Sequence, residues 1–100
     1  MRDIRHPLIE QIELSDILHA LSDPARLEIV RQLAKEDALT CGQLAPDRPK
    51  SSMSHHFKIL RDAGLITTEL SGREHYNSLR LKDVENRFPG VLASILSADQ

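Results

Sequence analysis

One hundred residues, 40% of them apolar, make a single domain with short tails at most, able to bury a modest core without a metal or a disulfide. No apolar run approaches the length of a membrane span, and Met1 to Gln11 mixes charges with a proline, which argues against a secretion signal. The net charge of −2 is unevenly spread: residues 1–47 hold five Lys/Arg against nine Asp/Glu, residues 48–82 seven against three, and residues 83–100 one against three. A basic block on an otherwise acidic domain fits a face that meets a polyanion, although an ordinary mixed surface gives the same numbers. The only aromatic residues are Phe57, Tyr76 and Phe88, so the core is mainly aliphatic. The lone cysteine, Cys41, rules out an internal disulfide framework and suits a reducing cytoplasm.

In chain order, Met1 to Pro7 reads as a loose arm and Leu8 to Ile12 as a short helix. Leu14, Ile17, Leu18 and Leu21 follow helical spacing, which predicts a helix over 14–22. Asp23-Pro24 reads as an N-cap followed by proline at the first helical position, opening a helix that runs to about Ala34. Thr40 and Gln43 have the spacing of a capping box, so a short helix covers Cys41 to Ala45, with Pro46 ending it and Asp47-Arg48-Pro49 as the turn. A longer helix follows, from Pro49 or Lys50 to Ala63, closed by Gly64 as a left-handed cap. Leu65 to Leu70 and His75 to Leu81, separated by Ser71-Gly72-Arg73-Glu74, predict a β-hairpin. A last helix follows Lys82-Asp83, broken or kinked at Phe88-Pro89-Gly90, with Val91, Leu92, Ile95 and Leu96 as an apolar stripe.

The helix before Gly64 has two contrasting sides. At about 100° per residue, Met53, Phe57 and Leu60 share one face, while Ser51, Ser54, His55 and Lys58 share the other. One face can anchor in a core. The other offers hydroxyls, an imidazole and a cation with nothing bulky and apolar in the way, as a helix entering a DNA major groove requires. Short helix, tight turn, helix is the helix-turn-helix layout, and a hairpin directly after it makes a winged helix.

Two segments, Ala20-Leu21-Ser22-Asp23-Pro24-Ala25-Arg26-Leu27-Glu28-Ile29-Val30 and Met53-Ser54-His55-His56-Phe57-Lys58-Ile59-Leu60-Arg61-Asp62-Ala63-Gly64-Leu65-Ile66, resemble the ArsR/SmtB family of winged-helix transcriptional repressors. The resemblance spans roughly residues 14 to 96. It implies a mainly α winged helix-turn-helix of order ααααββα, with residues 1–13 as arm and short helix and 14–100 as the DNA-binding and dimerisation domain. It also implies a homodimer joined through its first and last helices, a partly palindromic operator in double-stranded DNA, and repression relieved by some signal.

On that reading Ser51, Ser54 and His55 are the candidate base contacts, and Lys58 suits phosphate or guanine. Ser52 and Lys50 can reach phosphate near the helix N-terminus, whose free amides favour an anion. Arg61 is a phosphate contact or a surface ion pair, and Arg73 at the wing tip, with His75 as a weaker companion, can reach a minor groove or its phosphates. For each of these the alternative is a solvated surface group. His56 lies beside the apolar face and is expected to hydrogen-bond beneath the helix. Arg26 is expected to be structural, pairing with a carboxylate.

Metal sensing by the family's familiar sites is not expected. The helix before the DNA-reading helix has one thiol, Cys41, between Thr40 and Gly42, and residues 83–100 contain Asp83, Glu85 and Asp99 but no histidine. A nickel or zinc site of another kind, from His6, His19 and His75 with acidic neighbours, is the metal-responsive alternative. Cys41 could also be a redox-sensing thiol, but a small buried residue packing its helix explains it better. A further alternative is a winged-helix interaction module that works with a partner protein or effector. No enzyme is expected: His55 and His56 diverge by about 100° on a helix, and no glycine-rich phosphate loop or carboxylate dyad accompanies them. No cofactor follows from any motif.

Overall fold

The computed structural model describes residues 4–98. Residues 1–3 of the expected arm, and Asp99, lie outside the described residues. Helix α1 (Leu14–Ala20) stops short of the expected boundary because side chains take its last carbonyls. Ser22 Oγ donates to His19 O at 2.7 Å, and Arg26 Nε donates to Ala20 O at 2.6 Å. Helix α2 (Pro24–Lys35) begins as expected, with the Asp23 carboxylate accepting from the amides of Ala25 and Arg26 at 2.8 and 3.4 Å.

The capping box at Thr40 is formed on both arms. Gln43 N donates to Thr40 Oγ1 at 3.1 Å and Thr40 N donates to Gln43 Oε1 at 2.8 Å, opening α3 (Cys41–Leu44). Helix α4 (Lys50–Asp62) ends in a Schellman motif: Gly64 N donates to Arg61 O and Leu65 N to Leu60 O, both at 3.0 Å. Gly64 sits at φ +87°, and a β-carbon there would lie 2.6 Å from Ile12 Cγ1. Glycine is therefore required twice, by the left-handed backbone and by the close approach of Ile12.

The hairpin pairs β2 (Ile66–Ser71) with β3 (Glu74–Leu79). Its two-residue loop has Gly72 at φ +63° followed by Arg73 at negative φ, the sign pattern of a type II′ turn. A strand the sequence did not announce, β1 (Leu39–Thr40), adds antiparallel to β3, so the sheet order is β1-β3-β2. Two residues are too few to show an alternating pattern. This central position of β3 explains the fully buried Asn77, whose Oδ1 accepts from Thr68 Oγ1 at 2.7 Å and whose Nδ2 donates to Leu39 O at 3.3 Å and toward Cys41 Sγ at 3.4 Å.

The expected last helix is two, α5 (Leu81–Arg87) and α6 (Val91–Ala98), split at Pro89-Gly90. It starts one residue before Lys82, because Leu81 leaves the hairpin for the helix. Glu85 bridges the break, its carboxylate accepting from Gly90 N at 2.9 Å and Ala93 N at 3.0 Å. Those two amides hold its carboxyl below the usual carboxylate range despite some burial.

The described part of the N-terminal arm is not loose. The short helix expected at 8–12 is one 3₁₀ turn, Ile9–Gln11, and the arm before it is strapped along the sheet. His6 Nε2 accepts from Thr68 N at 2.9 Å, covering an amide on the edge strand β2. Arg80 Nη1 donates to Pro7 O at 2.8 Å and Arg87 Nε to Ile12 O at 3.1 Å. The core gathers Ile17, Ile29, Val30, Leu60, Leu65 and Leu92 from α1, α2, α4, the start of the wing and α6, each no more than 2% exposed.

Candidate nucleic-acid interface

Helix α4 divides as its spacing predicts. Met53, Phe57 and Leu60 are buried at 5%, 3% and 0% exposure, and each contributes about 1.5–3 kcal/mol by leaving water. Lys50, Ser51, Ser52, Ser54, His55 and Lys58 are all exposed. Ser52 Oγ donates to Pro49 O at 3.1 Å, so its hydroxyl is held at the first turn. Lys58 Nζ lies 2.8 Å from Asp62 Oδ2 on the same face, an exposed pair that water screens.

Arg61 departs from this strip. It is half-buried and its Nη1 donates to Thr68 Oγ1 at 3.5 Å, aimed at the wing rather than at solvent. Arg73 and His75 are exposed on the wing. Between α3, α4 and the wing runs a groove of about 590 Å³, with Cys41, the buried Met53 and Phe57, and the cations Arg48, Lys50 and Arg73 in its lining. The fold thus brings together the start of α4 and the tip of the hairpin. Arg48 is an addition that the sequence reading passed over. Its only signal there was its place in the basic block, in the turn just before α4.

His56 is tied down as expected, and the partner is Arg26. Arg26 is 7% exposed, and its Nη1 lies 3.2 Å from His56 Nδ1. Its remaining donors go to Ala20 O and, at 3.4 Å, His19 O, so the expected carboxylate partner is replaced by main-chain carbonyls and an imidazole. The nearby Asp23 spends its carboxylate on capping α2. Burial pushes its carboxyl up, but the amides of Ala25 and Arg26, with the nearby Arg26 guanidinium, outweigh this and hold it below its ordinary range.

The described thiol and carboxylates at the family's familiar metal positions have other partners here. Cys41 is the only thiol and receives Asn77 Nδ2; Asp83 is paired with Arg80 at 3.0 Å; Glu85 caps α6. His6, His19 and His75 lie on the arm, α1 and the wing, and His6 already accepts from Thr68. Among the described residues no three His, Cys, Asp or Glu side chains gather as a metal cluster.

Helices α3 and α4 followed by a hairpin define a winged helix-turn-helix protein. A family profile for helix-turn-helix domains matches residues 21–69. An HTH-type transcriptional regulator of Bacillus subtilis, YceK, is 38% identical over 84 residues, covering 81% of this chain and 84% of that protein. The arsenical resistance operon repressor of Staphylococcus xylosus is 40% identical over 74 residues, covering 67% of this chain and 65% of that protein. The crystal structure of an ArsR family transcriptional regulator superposes with a TM-score of 0.67 at 27% identity, covering 94% of this chain and 92% of the other. The chain belongs to the ArsR/SmtB family of winged helix-turn-helix repressors, DNA-binding transcriptional regulators and not enzymes. No helix among the described residues is long and apolar enough to cross a membrane.

Proposed function

We propose that this chain is a sequence-specific repressor that binds a partly palindromic operator as a homodimer in the cytoplasm. The observation that carries the reading is the division of α4: an apolar side sealed into the core, and a side of hydroxyls, imidazole and ammonium left open to solvent. Ser51, Ser54 and His55 read base edges. Lys50, Ser52, Lys58 and Arg48 bind phosphates, and Arg73 with His75 carries the wing to the adjacent groove. Arg61 adds its charge from a half-buried position against Thr68.

The dimer seam is assigned to α1 and α6. Leu14 and Leu18, four apart on one face of α1, are 40% and 50% exposed, and Ile95 and Leu96 on α6 are only half-buried. Selection from a random duplex pool, followed by footprinting, tests the assignment. Two half-sites about 34–36 Å apart, or a multiple of that, are expected. A single short asymmetric site refutes the dimer geometry, and no enrichment of any sequence refutes specific recognition. Repeating the selection with zinc or nickel, and with cell extract, distinguishes a metal-responsive protein and one that needs a partner.

A further inference from the structure

We infer that Arg26 and His56 are positioning residues for DNA reading: one buried guanidinium ties the end of α1 to the recognition helix α4 and holds the His56 ring in a single tautomer. The inference rests on the proposed function, since it takes α4 as the helix that meets DNA and α1 as part of the dimer seam.

Three helices converge on Arg26. It belongs to the first turn of α2, yet its side chain runs back to α1, where Nε reaches Ala20 O at 2.6 Å and Nη2 reaches His19 O at 3.4 Å. Those are the last carbonyls of α1, at the negative end of its dipole, and α1 is followed at once by Leu21 and Ser22. The guanidinium therefore acts as a cap donated by the next helix. Its remaining edge, Nη1, meets His56 Nδ1 at 3.2 Å, thirty positions along the chain on α4.

The chemistry of this contact has one solution. Guanidinium has donors and no acceptor, so His56 Nδ1 accepts, and in the neutral ring the proton sits on Nε2. Arg26 is only 7% exposed. A buried cation whose guanidinium is hydrogen-bonded to no carboxylate among the described residues is held in place by its bonds to carbonyls and imidazole, and loosening one leaves an unpaired donor in the interior. His56 is half-buried between the apolar anchor Met53, Phe57, Leu60 and the exposed strip with His55, whose ring centroid is 6.3 Å away. The apolar anchor fixes how deep α4 sits. The link to Arg26 fixes its rotation about its own axis relative to α1. Two copies joined through α1 then present their base-reading strips at a defined angle and spacing, which a half-site pair demands.

The test uses the full-length protein in two arms. In the first, nitrogen and proton NMR of the free protein reads the His56 tautomer. A single Nε2–H tautomer with a bare Nδ1 is expected, giving way to a mixed signature in Arg26→Met. A Nδ1–H tautomer in the wild type overturns the inference whatever the variants do. In the second arm, binding is measured to a duplex selected by the wild type and to its scrambled version. His56→Ala is expected to lower affinity for the selected duplex about tenfold while changing the scrambled one less than about threefold. His56→Asn, which keeps an acceptor near Nδ1, restores most of the loss. Equal losses on both duplexes, an unchanged ratio, or no rescue by asparagine overturns positioning. A wild type with no sequence preference removes the proposed function and the inference together; a wild type that prefers its site while the variants do not differ removes only the inference.

Discussion

Gly64→Ala gives the sharpest test of how the recognition helix hands the chain to the wing. Two costs add. Gly64 sits at φ +87°, where a β-carbon meets the backbone and costs about 1–2 kcal/mol. The new methyl also falls 2.6 Å from Ile12 Cγ1 and 2.8 Å from Cδ1. Ile12 cannot swing aside: it is 1% exposed and Arg87 Nε holds its carbonyl at 3.1 Å. Overpacking of that kind costs about 1–3 kcal/mol. The sum, about 2–5 kcal/mol, is a large part of the roughly 5–15 kcal/mol that stabilises a domain. Urea unfolding followed by circular dichroism, at one fixed protein concentration so that association is constant, measures it. Ile12→Ala separates the two costs, since in that background only the backbone part, about 1–2 kcal/mol, remains. A cost below about 1 kcal/mol, or the same cost in both backgrounds, refutes the reasoning.

Lys58→Ala is expected to weaken binding to all DNA sequences and to lower the slope of log affinity against log salt by about 0.9. An unchanged slope over a salt series contradicts the phosphate contact. Because the Lys58–Asp62 pair is exposed on both sides, the same variant changes stability by no more than about 0.5 kcal/mol, measurable in the same urea titration. Burial, then the charges of Arg80 and Arg61, lower the pKa of His6 below its usual 6.5, so the neutral ring that accepts from Thr68 N is favoured in the fold. The stabilisation from the strap is therefore complete above pH 6.5 and is lost as pH falls through the lower folded value. Hydrogen exchange at the Thr68 amide should show its protection factor falling as pH drops below the usual histidine value of 6.5, and a flat profile contradicts the strap. Glu85 is also depressed, by the Gly90 and Ala93 amides, so Glu85→Gln lowers the melting temperature above the usual value of 4.5, and the difference closes as pH falls through the folded value. A difference that persists unchanged into strong acid rejects that account.

What could be read along the chain was what neighbours three or four apart decide. The two faces of α4, the caps at Asp23, Thr40 and Gly64, and the turn at Gly72-Arg73 each follow from local hydrogen bonding and helical or hairpin period. The described part of the arm is strapped down rather than loose for the opposite reason. Its partners are Thr68 and Arg80, 62 and 73 positions away, and nothing in Met1 to Pro7 carries that information.

Tertiary structure alone decided which polar groups were already spent. Arg61 looks like a surface cation in the sequence and Arg26 like one half of an ion pair with a carboxylate, yet packing turns Arg26 onto α1 and His56 and Arg61 toward Thr68. It also decided that the sheet has a third strand and that Ile12 closes over Gly64. Periodicity reports which side of an element is apolar because that depends only on rotation per residue. Which donor meets which acceptor depends on how the elements cross once their apolar sides are buried, and that is set by the packing of the whole domain.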